Sequence, residues 1–300
     1  MGPPDGPAIR IEGLVKDFGR VEAVRGIDLE VQRGEVFGLL GPNGAGKTTT
    51  VRCLLDLLRP TSGRIELLGL DPRGNGVAVR SRVAYVPGEL RLPERMTGAQ
   101  LVEAIGRLRG GFDRSKRDEL TERLGLNLHR RLRDLSSGNR RKVAVLLAFL
   151  GDAELMVLDE PTNGLDPLMQ REFLRMLREV REAGVTVFLS SHVRSEVQRA
   201  ADRVAVLRAG KVVALGGVEE LRRGARQRVE VWFADAPPRD ALTALTGVKD
   251  VVIEGRRFSA VMTGPIQPLL ELLAAHPVVN MLVEEPDLEE AFLDLYEAAS

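Results

Sequence analysis

Short apolar runs alternate with helical patterns over most of the chain. Residues 9–15 and 27–31 alternate between apolar and polar positions, as half-buried strands do. Continuous apolar runs, typical of buried strands, occupy 36–40, 83–86, 155–158, 185–189 and 204–207. Helical patterns lie at 98–109, 114–124, 137–150 and 168–183. This alternation predicts an α/β fold with a largely parallel core sheet that helices cover on both faces.

The pattern changes after residue 221. The segment RRGARQR, 222–228, is basic and polar and predicts a linker. Beyond it we predict strands at 229–233, 248–254, 258–263 and 278–283, and helices at 239–245, 266–276 and 287–299. The first six of these elements have the order β-α-β-β-α-β of ferredoxin-like domains. We therefore expect a disordered tail at 1–8, a large domain at 9–221, the linker, and a small α+β domain at 229–300.

Charge and cysteine content narrow the classes of protein. The 43 Lys and Arg residues balance the 43 Asp and Glu residues, and a net charge of zero argues against nucleic acid as the partner. The single cysteine, Cys53, excludes an internal disulfide and favours a reducing compartment. The start, MGPPDGPA, lacks a signal-peptide pattern, and no apolar run reaches the length of a membrane span. We expect a cytoplasmic protein that contacts a membrane only through a partner.

A glycine-rich segment follows the apolar run 36–40 and precedes a helical pattern that runs to Leu58. Its sequence, GPNGAGKT at 41–48, fits the pattern G-x-x-x-x-G-K-[ST] of phosphate-binding loops (P-loops). Glycines allow backbone N–H groups to turn toward phosphates, and the following helix directs its positive end at them. Lys47 is expected to reach the terminal phosphates, and the Thr48 hydroxyl to bind Mg²⁺. The segment therefore predicts a nucleotide site.

Two adjacent carboxylates end another buried strand. The segment ELMVLDEP, 154–161, places Asp159 and Glu160 at the carboxyl end of a strand, where open α/β sheets bind ligands. Asp159 is expected to hold Mg²⁺, directly or through water, and Glu160 to polarise the attacking water. A solvated acidic strand end is the alternative, and the P-loop disfavours it.

Further motifs occur in a fixed order along the chain. LSSGN at 135–139 opens a helix, NGLDP at 163–167 follows the acidic strand, LSSH at 189–192 follows the next strand, and KDFG at 16–19 lies near the start. With the P-loop, these segments resemble the ATP-binding cassette (ABC) family over about residues 9–221. Taken alone, Ser136 is typical of a helix N-cap and His192 of a structural histidine. The order of the motifs favours the functional interpretation of both.

The resemblance implies a P-loop NTPase fold and a role for each motif. It assigns ATP binding to Phe18, which stacks on adenine, and to Gly41, Pro42, Asn43, Gly44, Ala45, Gly46, Lys47, Thr48 and Thr49. It assigns the signature, which acts on the ATP of a second subunit, to Leu135, Ser136, Ser137, Gly138 and Asn139, and the D-loop to Gly164, Leu165 and Asp166. Glu160 and His192 are the expected catalytic residues, and Thr48 and Asp159 the expected Mg²⁺ ligands.

The resemblance also implies an assembly. In the family, two cassettes form a head-to-tail dimer around ATP, and a helical subdomain, here about 90–150, couples to membrane helices. The chain has one P-loop and one signature, so it needs a second copy or a paralogue, and its full set of catalytic residues favours a homodimer. Residues after 228 resemble the extension on ATPase subunits of bacterial exporters. We therefore expect an ATPase at the inner face of the cell membrane that powers export of a drug, antibiotic or lipid through a separate permease chain.

Two departures from the family pattern stand out. After RVAYVP the family usually has a glutamine that contacts Mg²⁺ and water, whereas this chain has Gly88 followed by Glu89. Either Glu89 takes that role, or the link between ATP and the partner is altered. The signature has Ser137 and Asn139 where Gly and Gln are commonest.

Two other functions are compatible with a cassette. The first is an ABC ATPase that acts on ribosomes or DNA, which the absence of a long coiled-coil insertion, the single cassette and the zero net charge disfavour. The second is a nucleotide-gated regulatory module without turnover, for which Gly88 is the support. Substitution of Glu160 by glutamine distinguishes the regulatory module, whose function it would leave unchanged, from an exporter, whose transport it would abolish.

Overall fold

The computed structural model describes residues 6–191, 199–218 and 227–284. Contacts divide the chain into two compact units, residues 1–215 and 216–300. His192, most of the predicted tail and linker, and the predicted helix 287–299 lie outside the described residues.

The first unit contains strands in two sheets and several helices. Its strands are β1 (Ile9–Phe18), β2 (Val21–Val31), β3 (Val36–Leu40), β4 (Ser62–Leu67), β5 (Val83–Val86), β6 (Leu155–Asp159), β7 (Thr186–Ser191), β8 (Arg203–Arg208) and β9 (Lys211–Gly217). Its helices are α1 (Lys47–Leu54), α2 (Gly76–Arg82), α3 (Gly98–Leu108), α4 (Arg114–Arg123), α5 (Ser137–Leu150) and α6 (Pro167–Glu182). The predicted α/β alternation is confirmed.

The core sheet has six strands in the order β5-β6-β7-β3-β8-β9. The neighbours from β5 to β8 are parallel, so their carboxyl ends lie at one edge. The segments after β5, β6 and β3 therefore leave the sheet at that edge, beside the carboxyl end of β7, where open α/β sheets bind ligands. A second, antiparallel sheet has the order β2-β1-β4 and makes the architecture mixed.

Apolar strands of the core sheet hold the first unit together. All residues of β3 and β6 are buried, as their continuous apolar runs predict. The rings of Phe37 and Phe188 stack with centroids 5.9 Å apart and are both fully buried. Each buried ring of this size contributes about 1.5–3 kcal/mol to the free energy of unfolding. The edge that carries the site is thus fixed by a rigid core.

The three α-helices described within the subdomain predicted at about 90–150 each begin at a side-chain cap. Thr97 and Gln100 form a capping box at α3, Asp113 caps α4, and Ser136 caps α5. A short 3₁₀ helix, Leu132–Asp134, precedes α5. The predicted boundaries of these helices hold to within one residue, because caps and apolar periodicity are local signals.

Several predicted boundaries are wrong. Helix α1 ends at Leu54 rather than Leu58, because Asp56 adopts a left-handed φ of 53° and the Leu57 N–H returns to the Arg52 carbonyl oxygen. Ala8, assigned to the disordered tail, is buried, and its N–H donates to the Val31 carbonyl oxygen. The sequence pattern also missed β4, α2 and β9.

The second unit has the element order predicted for it. Strands β10 (Gln227–Phe233), β11 (Val248–Glu254), β12 (Arg257–Met262) and β13 (Val278–Glu284) alternate with helices α7 (Arg239–Thr243) and α8 (Gln267–Ala274). The sheet is antiparallel, in the order β11-β12-β10-β13, as in a split βαβ arrangement. Strand β10 begins inside the predicted linker, because Gln227 and Arg228 pair with β12 regardless of their polarity.

Candidate nucleotide-binding and catalytic site

The P-loop connects β3 to α1 at the carboxyl edge of the core sheet. Two of its glycines are needed for space as well as for conformation. At Gly41, where φ is +154°, an added Cβ would lie 2.3 Å from the Leu207 carbonyl oxygen. At Gly46, where φ is +108°, it would lie 2.5 Å from the Ala23 carbonyl oxygen. Larger residues would therefore displace the loop from β8 and β2 and misdirect its N–H groups.

Side chains of the P-loop and of the acidic strand end converge. Lys47 Nζ donates to the Gly41 carbonyl oxygen at 2.7 Å and lies 3.6 Å from Glu160 Oε1. Thr48 Oγ1 donates to Asp159 Oδ1 at 3.3 Å. Lys47 is 5% exposed and Asp159 is fully buried. The structure thus brings the ammonium and hydroxyl of the P-loop beside the two carboxylates of the acidic strand end. The two pairs lie more than a hundred residues apart in the chain.

The Asp159 carboxylate is suited to a cation. Its Oδ1 accepts hydrogen bonds from Thr48 and Ser190, whereas its buried Oδ2 has no hydrogen-bond partner among the described residues. A buried carboxylate oxygen without a donor is costly unless a cation compensates its charge. Magnesium commonly takes one or two protein oxygen ligands together with phosphate oxygens and water. Thr48 and Asp159 therefore fit the predicted Mg²⁺ site.

The surrounding pKa values reflect this buried negative charge. Burial raises the pKa of Tyr85, on the neighbouring strand β5, to about 12, and the charge of Asp159 contributes to the rise. Burial lowers the pKa of Arg141, while the charges of Asp159 and Glu160 oppose that lowering. Burial at this edge of the sheet thus disfavours the charged form of both side chains, and the charge of the acidic residues is the smaller influence on their pKa values.

Glu160 is held in an unusual backbone conformation. Its φ is 47°, in the left-handed region that residues with a side chain rarely adopt. Its N–H donates to the Ser190 carbonyl oxygen at 3.0 Å and to the Ser190 hydroxyl at 3.3 Å. Its Oε2 accepts from Asn163 Nδ2 at 2.9 Å. The carboxylate is therefore oriented from both sides, by Lys47 and by Asn163.

Ser190 and Asn163 are site residues to which sequence reasoning assigned no role. Both lie within quoted motifs, LSSH and NGLDP, and no local pattern distinguishes them. Ser190 is identified only by pairing, because β7 lies between β6 and β3 and sets Ser190 beside Asp159. Asn163 was open to prediction, since its position three residues after Glu160 suits a tight turn.

The predicted signature and the predicted D-loop meet within one chain. The Ser136 hydroxyl accepts from the Asn139 N–H at 3.2 Å and so caps α5. A Cβ on Gly138 would lie 2.6 Å from the Gly164 carbonyl oxygen, so α5 and the D-loop touch through bare backbone. Asp166 caps α6, accepting from the N–H groups of the two residues after Pro167. Among the described residues, no hydrogen bond or ion pair joins the signature to the P-loop.

The remaining predicted site residues are Phe18, Gly88, Glu89 and His192. Phe18 is 49% exposed at the β1–β2 turn, with Lys16 Nζ 5.0 Å from its ring centroid. Gly88, after β5, lies against Asp159. The Glu89 carboxylate is exposed and lies 3.7 Å from the Arg52 guanidinium. His192 follows β7 but lies outside the described residues.

Two features of the described residues concern metal binding and the membrane. Nowhere in 6–191, 199–218 or 227–284 do three or more His, Cys, Asp or Glu residues cluster in a manner suited to a metal ion. None of the helices in those ranges has the length and apolar character that a membrane crossing requires.

Comparison with known proteins gives a consistent result. The ABC transporter family model matches residues 24–163. A daunorubicin resistance ATP-binding protein of Streptomyces coeruleorubidus is 36% identical over 301 residues, 96% of this chain and 95% of that protein. A Nod factor export ATP-binding protein of Ralstonia nicotianae is 34% identical over 302 residues, 96% and 94% of the two chains. The structure of an ATP binding subunit of an ABC transporter has a TM-score of 0.67 and 27% identity, and covers 72% of this chain and 92% of that chain. Motifs, geometry and these similarities together show that the chain belongs to the ABC transporter family.

Proposed function

We propose that this chain binds ATP with Mg²⁺ and hydrolyses it as the ATPase subunit of an exporter. One observation carries the proposal: Lys47 and Thr48 of the P-loop lie beside Glu160 and Asp159, with 3.6 Å between Lys47 Nζ and Glu160 Oε1 and 3.3 Å between Thr48 Oγ1 and Asp159 Oδ1. This arrangement combines phosphate binding, cation binding and a general base.

The chain's own residues divide the chemistry. The P-loop N–H groups and Lys47 bind the phosphates, and Thr48 and Asp159 hold Mg²⁺, which when bound withdraws charge from the terminal phosphate oxygens. Glu160 accepts a hydrogen bond from the attacking water, and Asn163 fixes its carboxylate. His192, the residue that follows β7 in the sequence, is proposed to act beside Glu160. Phe18 is proposed to stack on the adenine.

Two copies of the chain are proposed to form the working unit. The Ser136 to Asn139 segment of one copy lies on the ATP held by the P-loop of the other. Support comes from the single P-loop and single signature, and from the Gly138–Gly164 contact, which places the signature beside the D-loop. Hydrolysis then removes the phosphate that both copies contact and opens the dimer.

A permease chain is the proposed membrane partner. The relatives described above are a resistance protein and an export protein, and the similarity extends over 96% of this chain, including its second unit. The protein is proposed to lie in the cytoplasm, at the inner face of the membrane and attached through the permease. A drug, antibiotic or lipid is the proposed cargo, and no nucleic acid is involved.

Substitution of Glu160 tests the ATPase. Glu160→Gln keeps the shape of the side chain and removes the base, so we expect ATP binding to persist, hydrolysis to fall by about 10²–10⁴-fold, and an ATP-dependent dimer to accumulate. Phosphate release and light scattering measure these effects, with the exposed Glu182→Gln as control. An unchanged hydrolysis rate, or a wild type without turnover, would contradict the proposal and favour a regulatory module.

Co-purification tests the partner. Tagged chain is recovered from detergent-solubilised native membranes, and the proteins that accompany it are identified by mass spectrometry. The proposal expects a polytopic membrane protein at equal stoichiometry. Recovery with ribosomes or DNA-associated proteins instead would replace the exporter with the alternative ABC ATPase function.

A further inference from the structure

A buried arginine joins the signature helix to the loop after β5. Arg141 lies in the second turn of α5 and is 7% exposed. Its guanidinium donates to the carbonyl oxygens of Pro87, at 2.5 Å, and Gly88, at 2.6 Å. Burying an arginine is costly, so it requires acceptors that satisfy its donors. These two bonds therefore fix the loop main chain relative to α5.

Gly88 brings the same loop against the Asp159 carboxylate. A Cβ built on Gly88 would lie 2.9 Å from Asp159 Oδ2, closer than a carbon and an oxygen approach without a bond. Gly88 does not have a left-handed φ, so the close approach and not the backbone angle requires glycine. Oδ2 is also the buried oxygen without a hydrogen-bond partner in the described part of the chain. The loop main chain thus borders the oxygen that is open to a cation.

Charge and shape both favour arginine at position 141. A planar guanidinium presents parallel donors to two consecutive carbonyl groups, which a single ammonium matches poorly. Burial lowers the pKa of Arg141, and the charges of Asp159 and Glu160 oppose that lowering. Arg141 therefore binds the loop through hydrogen bonds. Its positive charge also interacts electrostatically with the two carboxylates.

We propose that Arg141 is a positioning residue for the cation site, holding the Pro87 and Gly88 main chain against Asp159 Oδ2. The proposal rests on the proposed ATPase function. Where the family usually has a glutamine side chain, this chain uses loop backbone fixed by Arg141. Because Arg141 and Ser136 belong to one helix and its cap, movement of the signature reaches the cation site of the same subunit.

The test compares ATP binding with and without Mg²⁺. Calorimetric titration of the full chain carrying Glu160→Gln, in which we expect ATP hydrolysis to be slow, gives dissociation constants in EDTA and in Mg²⁺. We expect Arg141→Met to reduce the affinity gain from Mg²⁺ by about tenfold or more, while the affinity in EDTA stays at the parent value. Arg141→Lys should lie in between, and Lys142→Met, the next residue of α5, is the control.

A second variant tests the contact from the other side. In Gly88→Ala the new Cβ meets Asp159 Oδ2, so we expect a loss of the Mg²⁺ effect of similar size with Arg141 intact. Because both variants act through one loop, the double variant should lose no more than the larger single loss.

The outcomes separate this inference from the proposed function. If folded Arg141→Met and Gly88→Ala lose thermal stability but keep the parent affinity gain from Mg²⁺, Arg141 is only structural and the inference is wrong. If Arg141→Met fails to fold, the affinity gains from Mg²⁺ measured for Arg141→Lys and Gly88→Ala decide the question instead. A wild-type chain that binds no ATP would overturn the proposed function and the inference together. If the chain binds ATP but the variants keep the parent affinity gain from Mg²⁺, the inference alone is overturned.

Discussion

Ser190 contacts both acidic residues of the site. Its hydroxyl donates to Asp159 Oδ1 and accepts from the Glu160 N–H, and its side chain is fully buried. The left-handed conformation of Glu160 costs about 1 kcal/mol or more, and these bonds offset that cost. The sequence predicted Asp159 and Glu160 from a local motif. It did not predict Ser190, which lies 31 residues further along the chain and reaches Asp159 only through strand pairing.

Ser190→Ala should impair hydrolysis more than ATP binding. The change removes a donor from a buried carboxylate, so we expect kcat to fall by about 10–100-fold and the free energy of unfolding to fall by about 1–3 kcal/mol. Steady-state kinetics and chemical denaturation measure both effects. Ser81→Ala, at an exposed serine, is the control. A wild-type kcat in a folded Ser190→Ala protein would show that Ser190 has no role in hydrolysis.

Glycines at helix starts differ in what surrounds them. Gly138 in α5 lies against the Gly164 carbonyl oxygen, where an added Cβ would be 2.6 Å away. Gly76, at the start of α2, would place its Cβ against the end of the Arg80 side chain, which can move away. Helix propensity alone therefore ranks alanine above glycine at both positions, whereas packing reverses the order at Gly138 only.

Alanine substitutions at these two glycines should have opposite signs. Gly138→Ala forces backbone apart, so we expect it to lower the free energy of unfolding by about 1–3 kcal/mol and to weaken the ATP-dependent dimer. Gly76→Ala should raise the free energy of unfolding by up to about 1 kcal/mol. Denaturant titrations and light scattering of both variants provide the comparison. Stabilisation by Gly138→Ala would contradict the observed contact.

The beginnings of β5 and β6 are joined by an ion pair with a defined pH dependence. Arg82, at the end of α2, donates to Glu154, and this hydrogen bond is the main cause that lowers the Glu154 pKa from its ordinary value of 4.5. A lowered carboxylate pKa contributes stability above the unfolded pKa, and that contribution is lost as pH falls through the folded pKa. Arg82–Glu154 therefore stabilises the sheet at neutral pH and not in acid.

Glu154→Gln should lower stability at pH 7 and have no effect in acid. The pair is partly exposed, so we expect a loss below about 1 kcal/mol at neutral pH. The difference in melting temperature from the wild type should shrink as pH falls below 4.5. Thermal melts between neutral and acidic pH measure this, with Glu182→Gln as control. A difference that grows in acid would contradict the assigned pKa direction.

Among the described residues, each of the two units has a hydrophobic cluster of its own. One, around Phe37, Leu54 and Phe188, supports the P-loop edge of the first unit. The other, around Val231 and Phe258, lies between the sheet and the two described helices of the second unit. The predicted catalytic residues all belong to the first unit. The second unit therefore contributes none of the residues predicted to act on ATP.

Phe258→Ala should destabilise the second unit and spare the nucleotide site. Removing this fully buried ring leaves a cavity, and we expect a loss of about 3–5 kcal/mol in the free energy of unfolding of that unit. Differential scanning calorimetry should record an earlier transition, while the ATP dissociation constant stays at the wild-type value. A matching loss of ATP affinity would show that the cores are coupled.

Local sequence patterns were sufficient to predict the P-loop, the acidic strand end, the buried strands of the core sheet and the capped helices. Each of these is encoded by neighbours within a few residues, through glycine conformation, apolar periodicity or a capping side chain. Tertiary structure alone decided strand β4, which exists because it pairs with β1, and the contacts of Ser190, Gly138 and Arg141. These depend on chain segments that are distant in sequence, and only the packed fold brings their backbones within contact distance.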